Sequence, residues 1–357
     1  MIQFRSVVAA ALIFVGAAGQ AASRHRAVQP PAEFPFVDAI ASQALASGIP
    51  GISIAIQYGD KTLFAKAYGF DDVSAQLAAT SATVYGIGSI TKQFTAAGIM
   101  RLVERGQLRL DDKAIALVPE LNPGFANVTV EHLLTHTSGI RDYFPLITNA
   151  YEPKSESQIL ALISSRTLLF SPGTAWYYSN SNYYILGIII ERITGDSYAH
   201  YSEQNFFLPL GLTSTDFCHA PLPWGYVRLS GTAERVQSAE PSLLFAAGGI
   251  CSTATDLVHW NQALVSGRAV SLESYQKMKT PYTLKSGEIV SYGYGLLLDP
   301  LDNHPRVWHA GIVLGYTTNL AWYPEANLTI SVLINLTDLP NDPAGEISDQ
   351  IARVLLK

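Results

Sequence analysis

The strand-like segments of this chain lie at its two ends and the helix-like segments lie between them, which leaves few ways to build a common core. Residues 51–58 and 62–68 are rich in β-branched and aromatic side chains and flank Gly59-Asp60, so they read as a hairpin. Far along the chain, 317–323 and 328–336 read as a second strand pair, 307–316 as a strand beside it, and 343–357 as a closing helix. Residues 38–47 read as an amphipathic helix leading into the first hairpin, and 89–265 is mainly helical. An isolated hairpin has too little apolar surface to be stable, so the two ends must share one antiparallel sheet. The expected fold class is therefore α/β (α+β): an antiparallel sheet built from both termini, flanked by helices, with an inserted mainly helical lobe. With 357 residues, 48% hydrophobic and 15% charged, the chain suffices for one two-lobed domain, with a cleft between sheet and lobe. It contains no internal repeat and no low-complexity segment.

Chemistry enters with Ser89-Ile90-Thr91-Lys92. Residues 93–104 lack proline, contain only Gly98 as a breaker and carry Phe94, Ala97, Met100, Leu102 and Val103 at apolar positions; Arg105-Gly106 ends the helix. On a helix, Ser89 and Lys92 are neighbours three residues apart. The positive potential of a helix N-terminus favours an oxyanion at Ser89 and disfavours protonation of a nearby amine. A free serine is a poor nucleophile that a close, partly desolvated lysine can activate. The four-residue pattern is weak by itself, since Ser89 could be an N-cap with Lys92 solvated. Two further elements strengthen it. Tyr178-Ser179-Asn180 follows the turn Ser171-Pro172-Gly173-Thr174 and precedes 181–191, a buried helix; a hydroxyl and a carboxamide so placed can point into one cleft. His309-Ala310-Gly311 lies in the 307–316 strand, where small residues let a substrate backbone approach the edge.

In this order and spacing, the three elements resemble the serine β-lactamase and penicillin-binding-protein superfamily, in the branch that groups class C β-lactamases with D-alanyl-D-alanine carboxypeptidases, D-aminopeptidases and related esterases. The stretches 133–140 (LLTHTSGI) and 247–257 (AGGICSTATDL) look like the same branch, and the resemblance covers about 36–356. It implies that Ser89 forms an acyl-enzyme, with Lys92 and Tyr178 carrying the proton; either is taken as the base in this family. It further implies that Asn180 positions Lys92 and the substrate amide, and that the backbone N–H groups of Ser89 and Ile312, just after Gly311, hold the oxyanion. No metal or organic cofactor is required. The third element departs from the β-lactamase pattern K-T-G, because His309 is uncharged near neutral pH if unperturbed and Ala310 has no hydroxyl. Each lost charged hydrogen bond weakens carboxylate recognition by about 1.5 to 3 kcal/mol. The expectation is a secreted serine peptidase or esterase acting on a small-molecule or peptide substrate, peptidoglycan-derived fragments included. The alternatives are a class C-like β-lactamase and a noncatalytic penicillin-binding or wall-sensing protein.

The formal charge of -6 and the lack of a Lys/Arg run argue against a nucleic-acid partner. Arg5, an apolar stretch over 7–15 and the small-residue site Gly19-Gln20-Ala21 read as a signal peptide over 1–21, too short to span a membrane and without a lipoprotein cysteine. Residues 22–35 then form a linker and 36–357 the hydrolase domain, periplasmic or secreted, with no stable membrane anchor after cleavage. Cys218 and Cys251 would meet an oxidising compartment, where a disulfide is permitted but not implied. His132 and His136 have zinc-pair spacing but no glutamate between them, which favours a structural use. No G-x-S-x-G elbow is present.

Overall fold

A computed structural model describes residues 31, 33–218, 224–229, 231–338 and 341–357. The expected signal peptide, 1–21, and most of the linker lie outside the described residues. The helix α1 (Pro35–Ala46) leads into β1 (Gly51–Tyr58) and β2 (Lys61–Asp72), with β3 (Leu77–Ala78) as an edge. From the other end come the strands Leu297–Leu298, Val307–Val313, Tyr316–Tyr323 and Leu328–Ile334. These seven strands form one sheet in the order Leu297–Leu298, Val307–Val313, Tyr316–Tyr323, Leu328–Ile334, β1, β2, β3. All neighbours are antiparallel, and the two termini meet where Ile54 pairs with Val332 and Ser53 with Leu333. The sheet built from both ends is thus the observed architecture.

The central strands are buried on both faces: isoleucines and valines fill one, and the other also buries polar residues such as Ser53, Thr318, Asn319 and Ser331. One face packs Ile52, Ile54, Ile56, Ile330, Val332 and Ile334 against Val37 and Ala41 of α1 and Ile347 and Ile351 of the closing helix Pro343–Leu355. The other meets α2 (Thr91–Glu104) and the helices Asn180–Thr194 and Ala254–Val265 in a second core that includes Phe94, Ile188, Trp260 and Leu333.

Two expectations need correction. The strand expected over 307–316 ends at Val313; Gly315, with φ +96, turns the chain, and Tyr316 opens the next strand. The strand expected over 328–336 ends at Ile334, and Leu336–Thr337 instead pairs in parallel with Tyr226-Val227 in a separate small sheet. The mainly helical stretch 89–265 also contains short strands: Asp216–Phe217 and Ile250–Ser252 join β4 (Tyr85–Gly86) in a three-stranded sheet. Strands of two or three residues are too short to show a periodicity.

Cys218 and Cys251 form a disulfide that closes a loop of 33 residues and ties the chain beside Asp216–Phe217 to the middle strand of that small sheet. Cys251→Ser should therefore lower the unfolding free energy in urea by about 3 to 4 kcal/mol, the loop-closure value for this separation. Under non-reducing conditions the denatured wild-type protein should bind no maleimide.

Candidate active site

Ser89 sits on a single 3-10 turn, Gly88–Ile90, that runs straight into α2 and so keeps it one turn before Lys92. Two glycines bring this turn against the Val307–Val313 strand, backbone to backbone. A Cβ on Gly88, which has φ +51, would lie 2.8 Å from the Ile312 nitrogen; one on Gly311 would lie 1.9 Å from the Ile87 carbonyl oxygen. Such distances are below van der Waals contact, so a side chain at either position would push strand and turn apart. Thr318 Oγ1 clamps the junction by donating to the carbonyl oxygens of Ile87 at 3.0 Å and Gly311 at 3.3 Å. The Ile87 N–H reaches Ile250 O at 3.0 Å, and Ile250 N–H reaches Thr91 Oγ1 at 3.2 Å. The half-buried Ser89 thereby shares its surroundings with the backbone of Ile312, whose side chain is 38% exposed.

Lys92 is 0% exposed. Its Nζ lies 2.9 Å from Ser89 Oγ, 2.8 Å from Asn180 Oδ1 and 2.7 Å from the Ala247 carbonyl oxygen. The rings of Tyr178 and Tyr183 stand 4.9 and 5.7 Å from it. Burial disfavours the ammonium and lowers the Lys92 pKa to about 7, against the opposing pull of the Asp142 carboxylate. The Ala247 carbonyl is aimed by a kink: Phe245, at φ +40 and ψ -134, breaks the helix Pro241–Gly248. Ala246 O then accepts from Thr95 Oγ1 at 2.7 Å while Ala247 O faces Lys92. A non-glycine residue in that conformation is strained and is held there by its surroundings.

Tyr178 is half-buried and hydrogen-bonded to Ser89; burial raises its pKa, so the phenol stays protonated. Asn180 opens the helix Asn180–Thr194 and hands its Nδ2 to Asp142 Oδ2 at 3.2 Å. His136, buried and at φ +59, holds this segment. Its carbonyl accepts from Tyr177 N–H at 3.0 Å, and its Nδ1 accepts from Ser179 N–H at 3.3 Å and Asn182 Nδ2 at 3.0 Å. Burial holds its pKa well below the usual value, so the ring is neutral. Among the described residues no group of three or more His, Cys, Asp or Glu could hold a metal ion.

The resemblance places His309 with Asn180, Gly311 and Ile312 among the substrate-binding residues, but in this arrangement the His309 ring is closed off. The ring is 3% exposed, its Nδ1 lies 2.6 Å from Ala310 O, and its Nε2 lies 3.1 Å from Tyr292 Oη. A carbonyl only accepts, so Nδ1 carries the proton and Nε2 accepts from Tyr292. Burial, with Lys92 nearby, lowers its pKa to about 3. Both nitrogens are occupied within the protein, so in this arrangement the imidazole offers no hydrogen bond to a substrate. Asp142, His136, Tyr292 and the Ala247 carbonyl were not anticipated as parts of the site. His136 and Ala247 lie in stretches singled out in the sequence, but nothing in the sequence marks Asp142 or Tyr292.

A family model described as Beta-lactamase matches residues 37–353. Penicillin-binding protein 4* of Bacillus subtilis strain 168 is 30% identical over 310 residues, which cover 80% of this chain and 68% of that one. Among solved structures, D-amino acid amidase from Ochrobactrum anthropi SV3, complexed with L-phenylalanine amide, superposes with a TM-score of 0.81 at 25% identity over 90% of this chain and 98% of that one. An octameric penicillin-binding protein homologue from Pyrococcus abyssi gives a TM-score of 0.78 at 32% identity over 90% and 77%.

The contact between turn and strand can be tested through Gly311→Ala. The variant should keep a wild-type far-UV circular dichroism spectrum and lose roughly a hundredfold in the rate of Ser89 labelling by a fluorophosphonate, the scale of one misplaced oxyanion donor.

Proposed function

This chain belongs to the Beta-lactamase family, and from that premise we propose that it is a serine acyl hydrolase that cleaves amides or esters of D-amino acids through an acyl-enzyme on Ser89. The observation that carries the reading is the surroundings of Lys92. Asn180 Oδ1 and Ala247 O are acceptors and take two N–H bonds, so the lone pair of a neutral Lys92 is left to face Ser89 Oγ.

In the first step Ser89 Oγ attacks the substrate carbonyl carbon while its proton passes to Lys92 Nζ. The oxygen that becomes negative is stabilised by the backbone N–H groups of Ser89 and Ile312. Tyr178, protonated at rest and bonded to Ser89, gives a proton to the leaving amine or alcohol as the bond from that group to the acyl carbon breaks, and the proton held on Lys92 restores the phenol. Water then attacks the acyl carbon, gives up its proton to the same pair, and the C–O bond to Ser89 breaks with return of the proton to Oγ. These steps call on no metal or organic cofactor.

The substrate class draws on two supports. Solved relatives at 25% identity are a D-amino acid amidase and a D-stereospecific amidohydrolase from Streptomyces sp.. The third element, in turn, offers a carboxylate neither an ammonium nor a hydroxyl, which argues against efficient β-lactam turnover. We further propose export directed by residues 1–21, which agrees with the Cys218–Cys251 bond, and small-molecule or peptide substrates that include peptidoglycan fragments.

A fluorophosphonate should label wild type at Ser89 and leave Ser89→Ala unlabelled. Lys92→Ala and Tyr178→Phe should each lower kcat by about a hundredfold or more with a smaller change in KM. Because Lys92 works as the free amine and its pKa lies at about 7, kcat/KM should fall as pH drops below that value. The loss approaches about tenfold per pH unit, and a profile flat down to pH 5 would remove Lys92 as the base.

A panel of D- and L-alanine p-nitroanilide, p-nitrophenyl acetate and a chromogenic cephalosporin tests the substrate class. Preference for the D-anilide or the ester is expected. A cephalosporin kcat/KM on the order of 10⁶ M⁻¹s⁻¹ would make this a β-lactamase instead.

A further inference from the structure

A carboxamide is nearly symmetric in shape and opposite in chemistry at its two ends, since Oδ1 accepts and Nδ2 donates. Which end of Asn180 faces Lys92 therefore decides where the lysine lone pair points. With Oδ1 toward Lys92, the two N–H bonds of the neutral amine go to Asn180 and Ala247, and the lone pair meets the Ser89 hydroxyl proton. With Nδ2 there, the amide would compete for the lone pair, and Lys92 would present an N–H to Ser89 Oγ. The flipped site would have the same outline and no base.

Asp142 excludes the flip. Its Oδ2 lies 3.2 Å from Asn180 Nδ2, and the Asn180 backbone N–H also bonds it. A carboxylate only accepts, so turning Oδ1 toward it would set two acceptors against each other. Burial raises the Asp142 pKa, and the Phe144 N–H, the Lys92 charge and the Asn180 bonds oppose that rise. The loop carrying Asp142 is pinned to the start of the Asn180–Thr194 helix: Ser181 Oγ donates to Arg141 O at 2.7 Å, and Tyr143 N–H donates to Ser181 Oγ at 3.1 Å. Phe144 N–H reaches Asp142 Oδ1 at 3.3 Å. The positive end of the helix adds to the preference for a negative group there.

We infer that Asp142 is a positioning residue that acts through Asn180 to aim the lone pair of Lys92 at Ser89, and that its negative charge helps set the pH at which Lys92 becomes a base. The inference rests on the acyl-transfer reading given above. The other titratable groups around Lys92 are Tyr178 and Tyr183, whose pKa values burial raises, and His136 and His309, whose pKa values burial lowers, so all four are neutral near pH 7. Among the described residues, Asp142 is the carboxylate whose charge acts on Lys92. A negative neighbour favours the ammonium, so removing it moves the acidic limb of the activity profile to lower pH.

Two variants separate orientation from charge. Asp142→Asn can turn its own carbonyl toward Asn180 Nδ2, which keeps the orientation and loses the charge; Asp142→Ala loses both. With p-nitrophenyl acetate, Asp142→Ala should show kcat lowered by about tenfold or more and KM changed less than about twofold. Asp142→Asn should retain more of kcat than the alanine variant. Its acidic limb should lie about half a pH unit or more below wild type. Fluorophosphonate labelling of Ser89 at fixed pH should slow in the same order.

If both variants keep the wild-type kcat and acidic limb, or if kcat falls while the limb stays in place, Asp142 has no part in setting the base. Those outcomes overturn the inference while a labelled wild type leaves the acyl-transfer reading standing. If wild type itself is not labelled at Ser89, both fall together.

Discussion

The active site depends on one costly act of burial. Enclosing a lysine amino group costs several kcal/mol unless hydrogen bonds replace water or the group sheds its charge. Here both happen: Nζ has three oxygen partners within 2.9 Å, and burial brings its pKa to about 7. Those partners come from three separate parts of the chain, namely the turn at Ser89, the start of the Asn180–Thr194 helix and the kinked segment at Ala247. Each is shaped to serve the amine: a 3-10 turn before α2, an amide oriented by Asp142, and a strained Phe245 that points a carbonyl inward. Chemistry and packing are therefore a single constraint, because loosening any of the three would let water reach Nζ and restore an ordinary lysine.

A second constraint joins the lobes. The turn carrying Ser89 belongs to the helical lobe, and the strand carrying Ile312 belongs to the sheet made from the two termini. They touch backbone to backbone because neither Gly88 nor Gly311 has a Cβ, and Thr318 bonds both sides. Ser252 and Cys251, which pair with Tyr85 and Gly86, and the disulfide to Cys218 support the same turn from behind. The rigidity that acyl transfer needs at Ser89 is thus supplied by main-chain contacts, which side-chain motion disturbs least.

His309 shows how one side chain changes meaning with its surroundings. In the sequence it stands in the place of the lysine of the K-T-G pattern. In the fold it is neutral and closed off, its tautomer set by the Ala310 carbonyl on one nitrogen and the Tyr292 hydroxyl on the other. The imidazole thus serves the inside of the strand, and the exposed Ile312 is the side chain this strand turns outward next to Gly311.

The residues alone determined a good deal. Strand-like segments rich in β-branched and aromatic residues at both ends required a shared sheet, since an isolated hairpin buries too little apolar surface to be stable. The spacing of Ser89 and Lys92 required their proximity, since three residues on a helix make one turn. Short range suffices for such features. Asp142, His136, Tyr292 and the Ala247 carbonyl were not legible in this way. They act through contacts between segments 17 to 155 residues apart, Asp142 and Tyr292 belong to no local pattern, and a carbonyl has no letter of its own. Strands of two or three residues and the joining of Cys218 to Cys251 were open for the same reason. Only the tertiary structure decided which acceptors enclose Lys92, because enclosure belongs to the whole fold, whereas a helical turn or an alternating strand is set by a few neighbouring residues.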